Sequence, residues 1–251
     1  MPKISIITPT LNREQHLPAI WDCVRSQTIQ DVEWLVHGDS VQESQFMKEL
    51  AEEDDRVHYQ HSKNQMWVGA KRNELVSKAK GDTIIHFDDD DYYAPGYIEG
   101  MLTFMANSNT DFVKLFGFFL YHQRSGYFGY WDLEVAFPVH YIMDPRLADL
   151  HAGPKHRNDQ DQFGYGCSYV YAKKVWDRQP FPDVKFGEDQ PFAEAAGKAF
   201  ACAGMQDHGF LMVHVIHNSN SSIVYPQQIL PRDVGVQLFP GFTPPAAATV
   251  A

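Results

Sequence analysis

Cysteine is scarce in this chain, and what there is lies far apart. Cys23, Cys167 and Cys202 are odd in number and form no CxxC pair, which excludes a disulfide framework and a cysteine zinc site and leaves them as buried spectators. Basic charge is also short. The 21 Lys and Arg face 32 Asp and Glu, a formal net charge of −11, and no Lys/Arg block offers a surface that tracks phosphates; nucleic acid is not an expected partner. A small anionic ligand stays open, because a bound metal ion and a few placed cations invert the local field. Long apolar runs are missing too: none reaches the ~18–20 residues of a membrane span. The N-terminal "MPKISIITPT" lacks the charged start and long apolar segment of a signal peptide. The expectation is a cytoplasmic protein without a transmembrane segment.

Hydrophobic residues are plentiful, at 44% of 251 residues with 14% aromatic, enough for a real core in one large domain. Their order follows a βαβα rhythm. "ISII" at 4–7 reads as a strand, and Leu17, Ile20, Trp21 and Val24 form one helical stripe after it. Strand "VEWLV" (32–36), an acidic helix over 41–53, strand "VHYQ" (57–60), helix "GAKRNELVSKA" and strand "TIIHF" (83–87) continue the alternation. This predicts an α/β fold with a mixed, mostly parallel sheet flanked by helices and ligands outside the carboxyl ends of the strands.

Pro95 opens a further helix with Ile98, Met101, Leu102 and Met105 on its core face. From 111 to 142 aromatic and β-forming residues predict longer mixed or antiparallel strands, and 144–166 is polar and turn-rich, a candidate mobile loop. A helix over 188–199, with Phe192, Ala195, Ala196 and Ala199 at core spacing, precedes the strand "FLMVHVIH". The chain divides into a domain over 1–225, with halves 1–110 and 111–225, and a proline-rich tail over 226–251. The tail's Pro226, Pro231, Pro240, Pro244 and Pro245 argue against regular structure. Ile229, Leu230, Leu238 and Phe239 are too apolar for a solvated linker, so the tail packs on the domain or on a second copy of the chain.

The segment "IIHFDDDDYY" sets four aspartates at the end of a buried strand. Adjacent buried carboxylates repel, so a positive partner is expected there. Hard divalent cations take oxygen ligands, and Mg²⁺ or Mn²⁺ pairs one or two carboxylates with phosphate oxygens. A calcium hand is excluded, because its fifth position would be Tyr92 and its sixth, which needs Gly, would be Tyr93. A solvated acidic turn is the plain alternative.

Five segments occur in series: "SIITPTLNR", "GAKRN", "HFDDDDYYAP", "FGEDQPF" and "HNSNSS". In this order and on these elements the chain, over about residues 3–222, resembles a family-two glycosyltransferase of the GT-A fold. The resemblance implies a metal-dependent, inverting transfer of one sugar from a nucleotide-sugar donor, by default a UDP-sugar, to a glycan or glycoconjugate acceptor. By motif position it gives Asp88 to the ribose and Asp90 to a Mn²⁺ or Mg²⁺ on the diphosphate, with Asp89 and Asp91 orienting the loop or taking water-mediated contacts. Asp189 is similar to the family's catalytic base and Glu188 to its orienting neighbour; an acidic helix cap is the structural alternative. His217 resembles a late metal ligand, with His214 its rival. Arg72, with Lys71 beside it, resembles the residue facing the nucleotide, and Thr8, Thr10 and Asn12 lie where the family packs base and ribose.

Where members of the family carry an acid that reads the base, this chain has "VHGDS", making Asp39 the nearest candidate and leaving dTDP and GDP open. The aromatics around Phe116 to Trp131 fall on the acceptor side, most of them as core. The processive QxxRW motif is missing, so a single transfer is expected. Two other readings stay open: a silent sugar-nucleotide or glycan-binding module on the same scaffold, and a nucleotidyltransferase, which would carry a Gly-rich basic loop where this chain has "TPTLNREQ".

Overall fold

The structure, a computed structural model, describes residues 4–135, 138–153, 162–220 and 223–245. Its first half follows the expected alternation. Strands β1 (Ile4–Thr10), β2 (Val32–Gly38), β3 (Val57–His61) and β4 (Thr83–His86) run parallel in the order β4-β1-β2-β3, joined by helices α1 (Leu17–Arg25), α2 (Gln45–Glu53) and α3 (Val68–Lys78). Every residue of β1 and β2 is buried, which is why these strands read as continuous apolar runs: parallel sheets are covered on both faces. Helix α1 buries Leu17, Ile20, Cys23 and Val24, while Trp21 is half-buried and stacks on Trp34 at 5.6 Å between ring centroids. Helix α2 starts at Gln45, later than the composition suggests, because Ser44 caps it: its Oγ accepts the Met47 N–H at 3.2 Å.

The second half comprises β5 (Tyr92–Tyr93), α4 (Tyr97–Ser108), β6 (Phe112–His122), β7 (Tyr127–Asp132), β8 (His140–Ile142), β9 (His151–Gly153), β10 (Val170–Ala172), α5 (Lys173–Arg178), α6 (Asp189–Ala199), β11 (Cys202–Gln206), β12 (Met212–Ile216), β13 (Gln228–Leu230) and α7 (Arg232–Leu238). The long strand β6 is its spine. Strand β10 runs antiparallel between β4 and β6, β7 pairs antiparallel with β6, and β11 and β12 pair parallel with it, giving a mixed sheet. Of the segment read as a loop, 151–153 form β9, which pairs antiparallel with β8 just before the segment, and residues 154–161 lie outside the described residues. The aromatics of β6 and β7, including Phe112, Phe118, Phe119, Tyr121, Phe128 and Trp131, are buried. One apolar cluster runs from Ile4 to Val224 through both halves. Cys23 and Cys167 are buried and unpaired with one another, and Cys202 is half-buried. Among the described residues no helix is long and apolar enough to cross a membrane.

The tail corrects the sequence reading, since its prolines do not forbid regular structure. They stand where a missing N–H is harmless. Pro231 is the N-cap residue of α7, Pro240 follows that helix, and Pro226 precedes the edge strand β13, which pairs antiparallel with β7. Phe239 and Phe242 are buried in a cluster with Phe119, Tyr121, Phe128, Val213 and Val215. Leu230 and Leu238 pack against that cluster and Ile229 against the main core, so these apolar groups are covered by the chain's own domain.

Candidate active site

A cleft of about 750 Å³ opens at the carboxyl ends of β1 and β4, and the aspartate run forms its floor. After β4, the Phe87 N–H still donates to the Ile7 carbonyl at 3.1 Å, and the chain then turns through 88–91 into β5, which pairs with β12. Tyr93 fixes this turn: its hydroxyl accepts the Asp88 N–H at 2.9 Å and donates to the Cys167 carbonyl at 2.8 Å, and its ring stacks on Phe87 at 3.9 Å. The four carboxylates are thereby splayed towards different partners, the middle two sharing one cation. Asp88 faces Arg72 at 3.2 Å. Asp89 and Asp90 share Arg13, whose Nη1 lies 2.8 Å from Asp89 Oδ1 and 2.5 Å from Asp90 Oδ2. Asp90 Oδ2 also meets His217 Nε2 at 2.9 Å, and Asp91 holds His214 Nδ1 at 2.8 Å.

Burial and pairing pull the acids apart in acidity. Burial lifts Asp88 to about 7 against the opposing Arg72, and Asp89 to about 6 with Asp90's charge adding to burial against Arg13. Burial pushes Asp90 the same way, but His217 and Arg13 outweigh it and hold this carboxyl below the ordinary range. Burial works against a charged His214, yet Asp91 beside it raises that imidazole to about 9. Asp90 is the member of the run whose partners strengthen its acidity against burial, which favours the carboxylate a cation needs.

The opposite wall is built by the segment before α6. Gly187 has φ 79°, in the left-handed region that favours glycine, and Glu188 and Asp189 follow it at the helix start. Glu188, the N-cap residue, makes no side-chain cap hydrogen bond, while Asp189 is the acid in the first turn of the helix. Instead Arg72 Nη1 donates to Glu188 Oε1 at 2.6 Å and to Asp189 Oδ1, and Asp189 Oδ2 accepts the Gly166 N–H at 2.9 Å. A Cβ on Gly69 would run into the Pro182 carbonyl and the Glu188 side chain; the glycine of "GAKRN" lets α3 approach closely enough for Arg72 to reach both acids. Burial lifts Glu188 to about 7 against the pull of Arg72.

The cleft brings together Thr10, Asn12, Arg72, Asp88, Asp89, Asp90, Glu188 and Asp189, with His217 behind Asp90. Two expected donor contacts are not brought there. Thr8 is fully buried, its hydroxyl donating to the Phe87 carbonyl at 2.7 Å and accepting from Trp34 Nε1 at 2.9 Å. Asp39 is buried with both oxygens committed, one to Lys71 Nζ at 2.8 Å and one to the Met66 N–H at 2.7 Å. Arg13 is the residue the sequence reading passed over. It stands beside Asn12 in "TLNR", and only the left-handed turn at Asn12 (φ 54°), whose N–H donates to Ser40 Oγ at 2.7 Å, sets it against the aspartates.

The donor set fits a divalent ion. Asp90 Oδ2 and His217 Nε2 already converge, and Asp89 Oδ2 is buried without a hydrogen-bond partner, an oxygen-rich set with one imidazole that suits Mn²⁺. His217 Nδ1 accepts the Ser219 N–H at 3.2 Å, so the ring proton sits on Nε2 and is donated to Asp90; an ion held at Nε2 would take the place of that proton. Asp91, Cys167 and His214 also bring their donor atoms within 4.8 Å of one another, but there Asp91 and His214 already neutralise each other.

A mixed, largely parallel sheet flanked by helices is the fold of the GT-A glycosyltransferases. The family model described as "Glycosyl transferase family 2" matches residues 5–166, and the chain belongs to that family. It is 24% identical over 232 residues to the glycosyltransferase EpsJ of Bacillus subtilis, covering 90% of this chain and 64% of EpsJ. It is 28% identical over 120 residues to the GalNAc(5)-diNAcBac-PP-undecaprenol beta-1,3-glucosyltransferase of Campylobacter jejuni, covering 47% of this chain and 38% of that enzyme. The chain therefore spans less than two thirds of each. Among solved structures, S. aureus TarS 1–349 in complex with UDP-GlcNAc superposes with a TM-score of 0.65 at 17% identity, covering 88% of this chain and 62% of TarS 1–349. The mannosyltransferase PcManGT of Pyrobaculum calidifontis in complex with GDP-Man and Mn²⁺ gives 0.61 at 13% identity, covering 87% of this chain and 58% of PcManGT.

Proposed function

We propose that this chain is a metal-dependent, inverting glycosyltransferase that works in the cytoplasm and moves one sugar from a UDP-sugar to an acceptor hydroxyl in glycan or glycoconjugate assembly. The observation that carries this reading is Arg72, which ties the aspartate floor, through Asp88, to Glu188 and Asp189 on the facing wall of one cleft. A donor held on the floor then presents its anomeric carbon towards the wall. The TarS complexes with UDP and UDP-GlcNAc support uridine, while PcManGT with GDP-Man and Mn²⁺ supports a divalent ion on the same fold.

Asp88 orients the ribose, and Asp90 with His217 holds the ion. When bound, a divalent ion supplies Lewis-acid stabilisation of the charge that develops on the leaving diphosphate oxygen. Asp189 accepts the proton of the attacking acceptor hydroxyl while the new C–O bond forms at the anomeric carbon and the bond to the diphosphate breaks, its electron pair leaving with UDP. Displacement on the face opposite the diphosphate inverts the anomeric centre. Glu188 and the Gly166 N–H keep the Asp189 carboxylate in place, one through Arg72 and the other directly.

The test is UDP release from a panel of UDP-sugars with Mn²⁺, with chelator, and with candidate acceptors. Release that needs Mn²⁺ and rises with acceptor is expected. Nucleotide binding by calorimetry with no turnover of any nucleotide sugar would make the chain a silent binding module instead.

A further inference from the structure

The cation beside the centre of the aspartate run is Arg13, the last residue of "SIITPTLNR", to which the resemblance gives no role. Arg13 Nη1 lies 2.8 Å from Asp89 Oδ1 and 2.5 Å from Asp90 Oδ2, and Nη2 donates to the Ser219 carbonyl at 3.3 Å. These three oxygens cradle a guanidinium where the reading above places a divalent ion, and Asp90 Oδ2 is the shared atom. An arginine and a dication cannot both sit there, because each needs the same lone pairs and they repel one another.

The two arginines of the cleft differ in freedom. Arg72 is 3% exposed and held by three acids. Arg13 is 24% exposed, and its anchors are the acids themselves and one backbone carbonyl from the "HNSNSS" segment. Its backbone is fixed by the Asn12 turn, so release swings only the side chain. The space beside it is the cleft it already lines.

We propose that Arg13 is an internal counter-cation that holds Asp89 and Asp90 in the unloaded protein, competes with the divalent ion for Asp90, and on release turns its guanidinium to the donor diphosphate. The inference rests on the reading that Asp90 and His217 hold the ion. Planar, bidentate donation to phosphate is what a freed guanidinium does best, and an acidic run buried to this depth needs a cation in both states.

Calorimetric titration of the full chain with Mn²⁺ alone, and then with UDP at saturating Mn²⁺, separates the two roles. Arg13→Ala and Arg13→Gln are expected to bind Mn²⁺ about tenfold more tightly than the parent and, once loaded, to bind UDP about tenfold more weakly, the effect of one charge-assisted contact in each case. Arg13→Lys keeps a charge in the cradle and is expected to bind Mn²⁺ close to the parent, which keeps the test open if the neutral variants fold poorly. In thermal unfolding without metal the neutral variants melt below the parent, and Mn²⁺ raises their melting point by more than it raises the parent's. Equal Mn²⁺ affinity in parent and neutral variants overturns the competition while leaving the metal reading intact. Unchanged UDP affinity overturns the diphosphate role. Mn²⁺ binding by none of these proteins removes the metal reading and the inference with it.

Discussion

Arg72 and Glu188 stand 116 residues apart in sequence and meet at 2.6 Å, joining α3 to the start of α6 across the cleft. The same guanidinium holds Asp189 and Asp88. Removing it leaves three carboxylates facing one another, Glu188 buried and Asp88 and Asp189 partly exposed to the cleft. Arg72→Met is expected to lower stability by about 3–5 kcal/mol, the usual penalty for stripping one partner from a buried ionic group, read from urea unfolding at pH 7. Arg72→Lys restores charge but not the fork, and is expected to fall between. A loss below 1 kcal/mol in Arg72→Met would mean the acids find other partners.

Asp189→Asn separates chemistry from architecture. The amide oxygen can still accept from Arg72 or from the Gly166 N–H, so the melting point is expected to stay within a few degrees of the parent, while the variant can no longer take a proton. Transfer is expected to fall by about 10²–10⁴-fold with the Michaelis constant for donor little changed. Turnover equal to the parent's would assign the base elsewhere.

Asp207 gives a pH signature well away from the cleft. It is 1% exposed in the turn between β11 and β12, and its carboxylate accepts the N–H groups of Leu211 at 2.9 Å and Met212 at 3.1 Å. Burial outweighs these bonds and raises it from 3.8 to about 6. The folded chain therefore binds this proton more tightly than the unfolded chain, so the stabilising contribution is complete below pH ~4 and is lost as pH rises through about 6. Other buried acids titrate in this window, so the quantity to measure is parent minus Asp207→Asn in urea unfolding from pH 4 to 7. That difference is expected to move against the parent by on the order of 3 kcal/mol; a flat difference would show that folding leaves the acidity of Asp207 unchanged.

The parallel half of the fold was readable in sequence because β1, β2 and β4 are buried on both faces and spell continuous apolar runs between helical stripes. Strand β10 was not. Its three residues are a strand only because β4 and β6 stand on either side to pair with them, a relation that no local window holds. The same divide runs through the site. Asp88 to Asp91 announce themselves by type and by position after a strand, and Glu188 and Asp189 by type and by position at a helix start, but a carboxylate's partner is set by tertiary approach. Arg13, beside the acidic Glu14, reads as a surface cation until the Asn12 turn places it. Thr8 and Thr10 carry the same hydroxyl two residues apart on one strand, and only depth decides that Thr8 bonds to Trp34 inside the core while Thr10 lines the cleft. Asp39 reads as a free acid at a strand end until α3 brings Lys71 against it.

The C-terminal segment tests whether fold and site are coupled. Phe239 is 1% exposed, with its ring centroid 5.1 Å from Phe119 and 6.2 Å from Tyr92, and Phe242 lies 5.4 Å from Tyr92. Tyr92 follows Asp91 directly and belongs to β5, the short strand that ends the aspartate turn by pairing with β12. A gap beneath Tyr92 therefore loosens the turn that splays the acids, even though no tail residue touches Asp90 among the contacts described. Phe239→Ala is expected to cost about 3–5 kcal/mol in urea unfolding, the range for emptying a buried aromatic site, and to weaken Mn²⁺ binding under conditions where the protein remains folded. Val234→Ala, at a position 41% exposed on α7, is expected to change neither, because a surface methyl pair adds little to either state. If Phe239→Ala unfolds more easily but binds Mn²⁺ as the parent does, the tail supports the sheet alone, and the aspartate turn is held by Tyr93 and its bonds to Asp88 and Cys167.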